Sequence, residues 1–548
     1  MTKWPRVRRP VLFLLSLCLL TFFLGLGRTA IADADEAFYA ESAREMLERG
    51  DWLTPHYNYE RRWQKPVLYY WLTAVTYVIV GVGEWGARLW SALAGAGLVL
   101  VTYGAGRRIT RHDDVGWLAG AIVATSFGYM ALARMALPDL PLAFFITVTI
   151  ASALDGRWAV AGVAAGLGFL VKGPLALALP AIVLAPIWWR ERATFDVRPG
   201  DLALAAALFA VVGLPWYIAM TAAHGAAYLE SFFIGDNLER FATARFNEPR
   251  SPLFFVPVLL GGLMPWTPFL LVTAWRPLRD VASRRIVLAG AEWRLLLWAA
   301  MPFLFFSLSI GKQPRYILPI LPPIAILLAR AVLHRLDAAS RGERAAQRDL
   351  RIATLATAAV TAALAVLLVQ GRGLFITAIP ALMWPAAAAL AVCSGVLAVT
   401  ARPRRLPSLP VMMPVCAAVT LVAIQFGALG GRRPEPVEQM AALVRQHRAG
   451  GEPVGEHHVF VRNLIFYTGF PQHELFTVEE AAAFMRSPGR VLMIARDTDL
   501  PRLETVAGAP MIRLGEVRYI NTANLKLPQL LAPLPAQDVQ RVLLVANR

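Results

Sequence analysis

Apolar residues in this chain come in continuous runs of about twenty, and that is the length of helix needed to cross a hydrocarbon layer about 30 Å thick. Such runs lie near 11–27, 87–106, 115–134, 139–155, 157–171, 174–189, 202–222, 253–275, 292–310, 316–334, 351–370, 375–400 and 410–430. They are continuous rather than alternating, which excludes a porin-type barrel. The expected fold class is an all-α polytopic membrane bundle of about thirteen transmembrane helices. A fourteenth segment, 67–82, is equally apolar, and charge must decide whether it crosses. After Leu429 the stretch from Gly430 to Pro436 is a turn and linker pattern, and the long runs stop. Residues 434–548 therefore read as a small soluble α/β domain behind a membrane domain of residues 1–430. Val437–His447 and Val478–Arg486 are its expected helices, and Arg490–Ala495, Met511–Ile520 and Arg541–Val545 its expected strands.

Composition agrees. Of 548 residues 57% are hydrophobic and 17% charged, and the mean hydropathy is +0.51, which excludes a disordered chain and a soluble enzyme. The formal charge of +17 would suggest nucleic acid in a soluble protein, but here the basic residues sit in clusters between apolar runs and report topology. Lys3, Arg6, Arg8 and Arg9 place the N-terminus in the cytoplasm. If 67–82 stays on the outer side, the clusters at Arg107/Arg108/Arg111, Arg190/Arg192, Arg276–Arg285, Arg335–Arg351 and Arg402–Arg405 all fall inside, as the positive-inside rule requires. The first loop, about 28–86, and the C-terminal domain then face the periplasm of a bacterial inner membrane. A cleaved signal peptide ending at Ala30-Ile31-Ala32 is the alternative for residues 1–32. Cys18, Cys393 and Cys416 lie in apolar stretches and have neither zinc nor disulfide spacing.

The unusual polar residues collect on the outer face. Asp35 follows the first span by a few residues, and an acid held there can orient or deprotonate an acceptor, or bind a metal. Glu36, Glu41 and Glu45 also suit an ordinary role at the start of a surface helix. Asp139, after Leu137-Pro138, is either a helix cap or a second site carboxylate. Lys65, Arg134, Lys172, Arg240, Lys312 and Arg315 stand at outer turns, mostly beside Pro or Gly. Singly they read as snorkelling side chains; together they read as a convergent anion site, most simply for a lipid phosphate. A transporter or lipid flippase would keep ionisable residues near the midplane, whereas these span centres are nearly free of charge. His457, His458 and His473 read as exposed loop histidines, since no further ligand set stands at fixed spacing.

The run from Asp35 through Glu36, Tyr39, Glu41, Arg44 and Glu45, then Gly50-Asp51-Trp52, Lys65-Pro66 and Gly83-Glu84-Trp85, resembles the ArnT-like, PMT-related polyprenyl-phosphate glycosyltransferases of the GT-C class. Leu137-Pro138-Asp139, Lys172-Gly173-Pro174, Asn237 to Phe241, and Lys312 to Pro319 follow in the family's order. The resemblance implies transfer of a sugar from an undecaprenyl-phosphate donor to a periplasm-facing lipid acceptor, with inversion. Aminoarabinose transfer to a lipid A phosphate is its best-known case, and protein O-glycosylation is an alternative acceptor class. It implies Asp35 and Asp139 as catalytic residues, and Glu36, Arg62, Gln64, Lys65, Lys172, Arg240, Arg315 and Tyr316 as binding residues, in a monomer with no nucleic-acid partner. The family's usual Glu is Gln64 here, and Asn237 stands where zinc-binding members have His. A divalent metal is one expectation for the site although its usual Glu and His ligands are absent, and no other cofactor is implied. Arg62 replaces a tyrosine of some members; with Gln64 it favours a neutral or acidic sugar over an amine.

Overall fold

The computed structural model describes residues 7–33, 35–192, 197–239, 243, 249–273, 290–521 and 525–548. Each expected span falls on a helix or a bent helix pair. In chain order the first are α1 (Pro10–Cys18, extended by a wider turn to Phe23), α2 (Asp35–Arg49), α3 (Leu68–Val80), α4 (Glu84–Thr110), α5 (Asp113–Ala124), α6 (Phe127–Ala133), α7 (Asp139–Leu154), α8 (Trp158–Lys172), α9 (Leu175–Glu191), α10 (Pro199–Gly213) and α11 (Pro215–His224). Among the described residues six helices are long and apolar enough to cross a membrane, or nine if each bent pair is one span. The pair α5–α6 bends by 59°, where the Thr125 and Ser126 hydroxyls bond back to the carbonyls of Ala121 and Ile122. The pair α10–α11 bends by 45° at Pro215, which lacks the N–H that would continue the helix.

Four of the expected spans fall short of the roughly twenty residues of a full crossing. The first span with its wider turn, α7, α8 and α9 have 14 to 17 residues, about 21–26 Å at 1.5 Å per residue. Their ends are cut by turn residues: Pro138 precedes α7, and Gly173, at φ +74°, ends α8 before Pro174. The shortening matters because those turns carry Asp139 and Lys172.

The bundle has two chemically different ends. One collects ion pairs between loops: Arg108 with Asp155, Arg107 with Asp113 at 2.6 Å, Arg294 with Glu191 at 2.5 Å and Arg335 with Asp349 at 3.8 Å. The other collects the first loop, the starts of α4, α7 and α9, the end of α8, and the C-terminal domain. Helix α3 belongs wholly to this second end. It runs antiparallel to the first two turns of α4, with Tyr69 donating to Ala87 O at 3.0 Å and Trp90 donating to Leu72 O at 2.7 Å. Segment 67–82 forms one 13-residue helix against the start of α4, with Tyr69, Tyr70 and Tyr77 buried and Val78, Ile79 and Val80 exposed.

The C-terminal domain is a five-stranded sheet of β3 (Val454–His457), β4 (His473–Leu475), β5 (Leu492–Arg496), β6 (Ile512–Tyr519) and β7 (Gln540–Ala546), in the order β4-β3-β5-β7-β6. A two-stranded ribbon, β1 (His56–Tyr57) with β2 (Glu60–Arg61), lies in the first loop. Strands β3, β4 and β5 are parallel, and β7 is antiparallel to both neighbours. Leu492 and Ile494 point into one core while Met493 and Ala495 point into another, so β5 is buried on both faces and reads as an unbroken apolar run. Strands β3 and β4 are short and carry Gly, Glu and His, and they had no such pattern. The domain is pinned to the first loop: Asn463 donates to Ile31 O at 2.9 Å, the Arg462 amide to Asp33 at 2.9 Å, and Asn58 exchanges two bonds with the Gln472 backbone.

Candidate active site

The first loop is held in place by one buried ion pair. Arg88, in the second turn of α4, donates to Glu36 from Nε at 2.7 Å and from Nη2 at 3.0 Å, and also to the carbonyls of Leu26, Thr29 and Ala30. Glu36 in turn accepts from the backbone amides of Ala32 and Ala136, both at 2.8 Å. The start of α2 and the turn before α7 are therefore tied through one carboxylate. Glu36, expected as a binding residue, is 1% exposed and is not among the residues lining the cavity described below; its carboxylate instead ties α2, α4 and the turn before α7. Its charge is matched on site by Arg88, which is what permits both to be buried.

The tie brings Asp35 and Asp139 to the wall of a cavity of about 200 Å³. Asp35, Arg62, Gln64, Lys65, Asp139, Lys172, Arg315 and Tyr316 all line it, together with Phe38 and Tyr39. Arg240 lies outside the described residues. Phe38 and Tyr39 were not anticipated as site residues; they follow Asp35 by three and four positions, so on a helix they share its face. Two other outer cations do not join. Arg134 caps the end of the first span through the carbonyls of Leu24 and Gly25, and Lys312, 3% exposed, donates to Ser309 O and Arg250 O.

Charges alternate along one wall. Arg315 bonds Asp35 through Nη2 at 2.7 Å and approaches Asp139 with Nε at 3.3 Å, and Lys172 bonds the other Asp139 oxygen at 2.5 Å. Asp139 is buried with both oxygens engaged, whereas Asp35 is 44% exposed and meets Arg315 through one oxygen. Burial pushes the Asp35 carboxyl up, but the charge and hydrogen bond of Arg315, with Lys172 and Arg62, outweigh it and hold the group below its ordinary value. Arg62 lies 3.8 Å above the Phe38 ring, and one end of the Gln64 amide is buried without a hydrogen-bond partner. Among the described lining residues four cations, Arg62, Lys65, Lys172 and Arg315, stand with two carboxylates, Asp35 and Asp139, a formal surplus of two positive charges. At Arg315 the cavity meets an apolar groove of about 550 Å³ between α6 and the helix Phe255–Gly262, walled by Leu132, Met135, Val258, Leu259 and Leu318. Gly128 and Gly262 let those two helices approach closely.

Residues 11–224 match the family model described as dolichyl-phosphate-mannose-protein mannosyltransferase. Over 318 residues the chain is 36% identical to the undecaprenyl phosphate-alpha-4-amino-4-deoxy-L-arabinose arabinosyl transferase of Pseudomonas aeruginosa, and over 320 residues 34% identical to transferase 2 of that name from Pseudomonas fluorescens. These matches take in 55% and 56% of this chain and 56% and 53% of those proteins, so the chain spans about half the length of the curated relatives it matches. The crystal structure of ArnT from Cupriavidus metallidurans bound to undecaprenyl phosphate superposes with a TM-score of 0.73 and 22% identity over 99% of both chains. The chain therefore has the fold of ArnT. The fold is the polytopic GT-C type, shared more distantly with the oligosaccharyltransferase of Archaeoglobus fulgidus in its apo form, at a TM-score of 0.55 and 12% identity over 91% of this chain and 71% of that one.

That archaeal protein has also been solved with Zn and sulfate, but the residues at this cavity do not fit a metal. Its lining has no His or Cys among the described residues, both carboxylates are engaged by Arg315 and Lys172, and the surplus charge is positive. Asn237, where a His ligand would stand, donates its amide to Phe232 O at 2.7 Å.

Proposed function

We propose that the protein is an inner-membrane glycosyltransferase that moves a sugar from an undecaprenyl-phosphate donor to a lipid phosphate, without a metal, as a monomer. The observation that carries this is a cavity whose described lining has a formal surplus of two positive charges and shares Arg315 with an apolar groove. A polyprenyl-phosphate sugar is a phosphodiester with one negative charge. When the bond from the anomeric carbon to the phosphate oxygen breaks, the departing monoester carries up to two. The surplus matches the product of bond breaking better than the donor, so Arg62, Lys65, Lys172 and Arg315 favour the transition state. The groove receives the apolar chain.

An acceptor oxygen attacks the anomeric carbon from the face opposite the phosphate. Asp35, held ionised by Arg315, is a weak base, and a general base works best with its pKa near the operating pH. This favours an acceptor that has already lost its proton, a phosphate oxygen, over a hydroxyl. Asp35 then orients the acceptor, and Asp139 orients Lys172 and Arg315. The specific case we propose is the one in the relatives' names, 4-amino-4-deoxy-L-arabinose delivered to lipid A; Arg62 and Gln64 count against an amine, so a neutral or acidic sugar is the other outcome of the test below. The unpartnered end of the Gln64 amide supplies one sugar contact. The site end of the bundle faces the periplasm, since the Arg-rich loops lie at the opposite end.

The test is mass spectrometry of polyprenyl-phosphate sugars and outer-membrane glycolipids from cells carrying the gene, lacking it, or carrying Asp35→Asn. Accumulation of one donor and loss of one sugar-modified lipid, reproduced by the variant, is the expected result and names both substrates. Unchanged lipids across all three strains would overturn the reading.

A further inference from the structure

The C-terminal domain contains a second constellation that the transfer chemistry does not use. The chain leaves β3 for β4 on one side, then returns to β5 on the other, so the connections diverge at the carboxyl ends of β3 and β5. In open sheets with parallel strands such a switch point leaves a crevice where ligands bind. His457 and His458 stand at the end of β3, and Asp499 follows β5 by three residues. In a regular strand consecutive side chains point to opposite faces. His458 instead has φ +59°, which breaks the alternation and lets the two imidazoles stack 3.9 Å apart.

Each ring is oriented by a backbone carbonyl from the loop after β4. His457 Nδ1 lies 3.0 Å from Leu475 O, and His458 Nε2 lies 2.8 Å from Phe476 O. A carbonyl only accepts, so those nitrogens carry the protons, and His457 Nε2 and His458 Nδ1 carry lone pairs. A ring N–H donated to a carbonyl is the usual arrangement behind a metal-binding histidine. The third group, Asp499, has Oδ2 buried with no hydrogen-bond partner. The ligand atoms of the three lie within 4.8 Å of one another. A tetrahedral zinc ion with bonds of about 2.0–2.1 Å holds its ligands roughly 3.3 Å apart, a closure that rotation of the exposed His458 supplies.

We propose that His457, His458 and Asp499 bind a late first-row transition-metal ion of the Zn²⁺ type at this switch point. Two imidazoles and one carboxylate suit such an ion and not Mg²⁺ or Ca²⁺, which take oxygen ligands. Three protein ligands leave one position for water, the open form of a zinc site. A neighbouring cation, Arg496, has its guanidinium turned to His458 O at 3.1 Å. None of the three ligands lines the cavity, so the site is independent of the proposed transferase reading.

The experiment uses the full chain, purified in detergent without a polyhistidine tag, stripped with a chelator and dialysed against micromolar Zn²⁺. Metal content is read by elemental mass spectrometry, and Co²⁺ substitution by visible absorption. The expected result is one Zn²⁺ per chain and a tetrahedral Co²⁺ spectrum, with affinity reduced at least ~10-fold in Asp499→Asn and in His458→Ala. His458 is exposed, so that variant keeps the metal-free melting temperature of the parent. A parent chain that retains no Zn²⁺, or variants that bind it as tightly as the parent, would overturn the proposal.

Discussion

Arg315→Met tests the electrostatic account at its centre. The change takes the surplus from two positive charges to one, frees Asp35 from its 2.7 Å partner, and leaves Asp139 with Lys172 alone. A charge pair about 4 Å apart at an effective dielectric near 20 is worth about 4 kcal/mol. The 44% exposure of Asp35 screens part of it, so the loss of transition-state stabilisation is about 2–4 kcal/mol, about 30- to 900-fold in kcat/KM. The pH profile moves as well. In the parent chain Asp35 is held below its ordinary value, so it stays ionised and contributes no acid limb above the usual carboxylate range. Without Arg315, burial is opposed only by Lys172 and Arg62, and an acid limb shifts to higher pH. Arg315→Lys keeps the charge but cannot fork to two carboxylates, so its loss is smaller. The assay is initial transfer rates from a radiolabelled polyprenyl-phosphate sugar in detergent, measured from acid to mildly alkaline pH. A methionine variant with parental rate and an unchanged profile would refute the argument.

Other outcomes follow from the same geometry. Gln64→Glu lowers the surplus to one and should raise the donor KM about 10-fold by weakening the anion site; an unchanged KM would mean that the amide does not face the donor. Glu36→Gln leaves Arg88 charged and underpaired in a buried site, at a cost of about 3–5 kcal/mol; a lowered melting temperature with activity falling in parallel is expected, and full stability with a raised KM would return Glu36 to substrate binding. Burial, with Glu41 adding its charge, pushes the Glu45 carboxyl up to about 8. The folded chain then binds a proton that the unfolded chain has released, so stability falls as pH rises from about 4.5 towards 8. Glu45→Gln should therefore raise the melting temperature, by a margin that grows across that range; a margin independent of pH would contradict the assignment.

The sequence by itself determined where helices form, because a run of about twenty apolar side chains in lipid has no alternative to satisfying its backbone within a helix. It also determined which end of the bundle is basic. The α2 face was legible too: once Asp35 is singled out, Phe38 and Tyr39 follow from a 3.6-residue repeat. The turns at Pro138 and Gly173 were legible as breaks between apolar runs, but hydropathy does not register that they turn Asp139 and Lys172 toward one cavity. Only the tertiary structure decided the roles of the charged residues. Glu36 and Asp35 are adjacent in sequence and equally acidic, yet one meets Arg88 from α4 and is buried, and the other meets Arg315 from 280 positions away at the cavity wall. In the same way His457 and His458 acquire a shared partner in Asp499 only because β3 and β5 lie side by side. Such pairings depend on which surfaces the packed helices and strands bring together, and a local pattern carries no record of them.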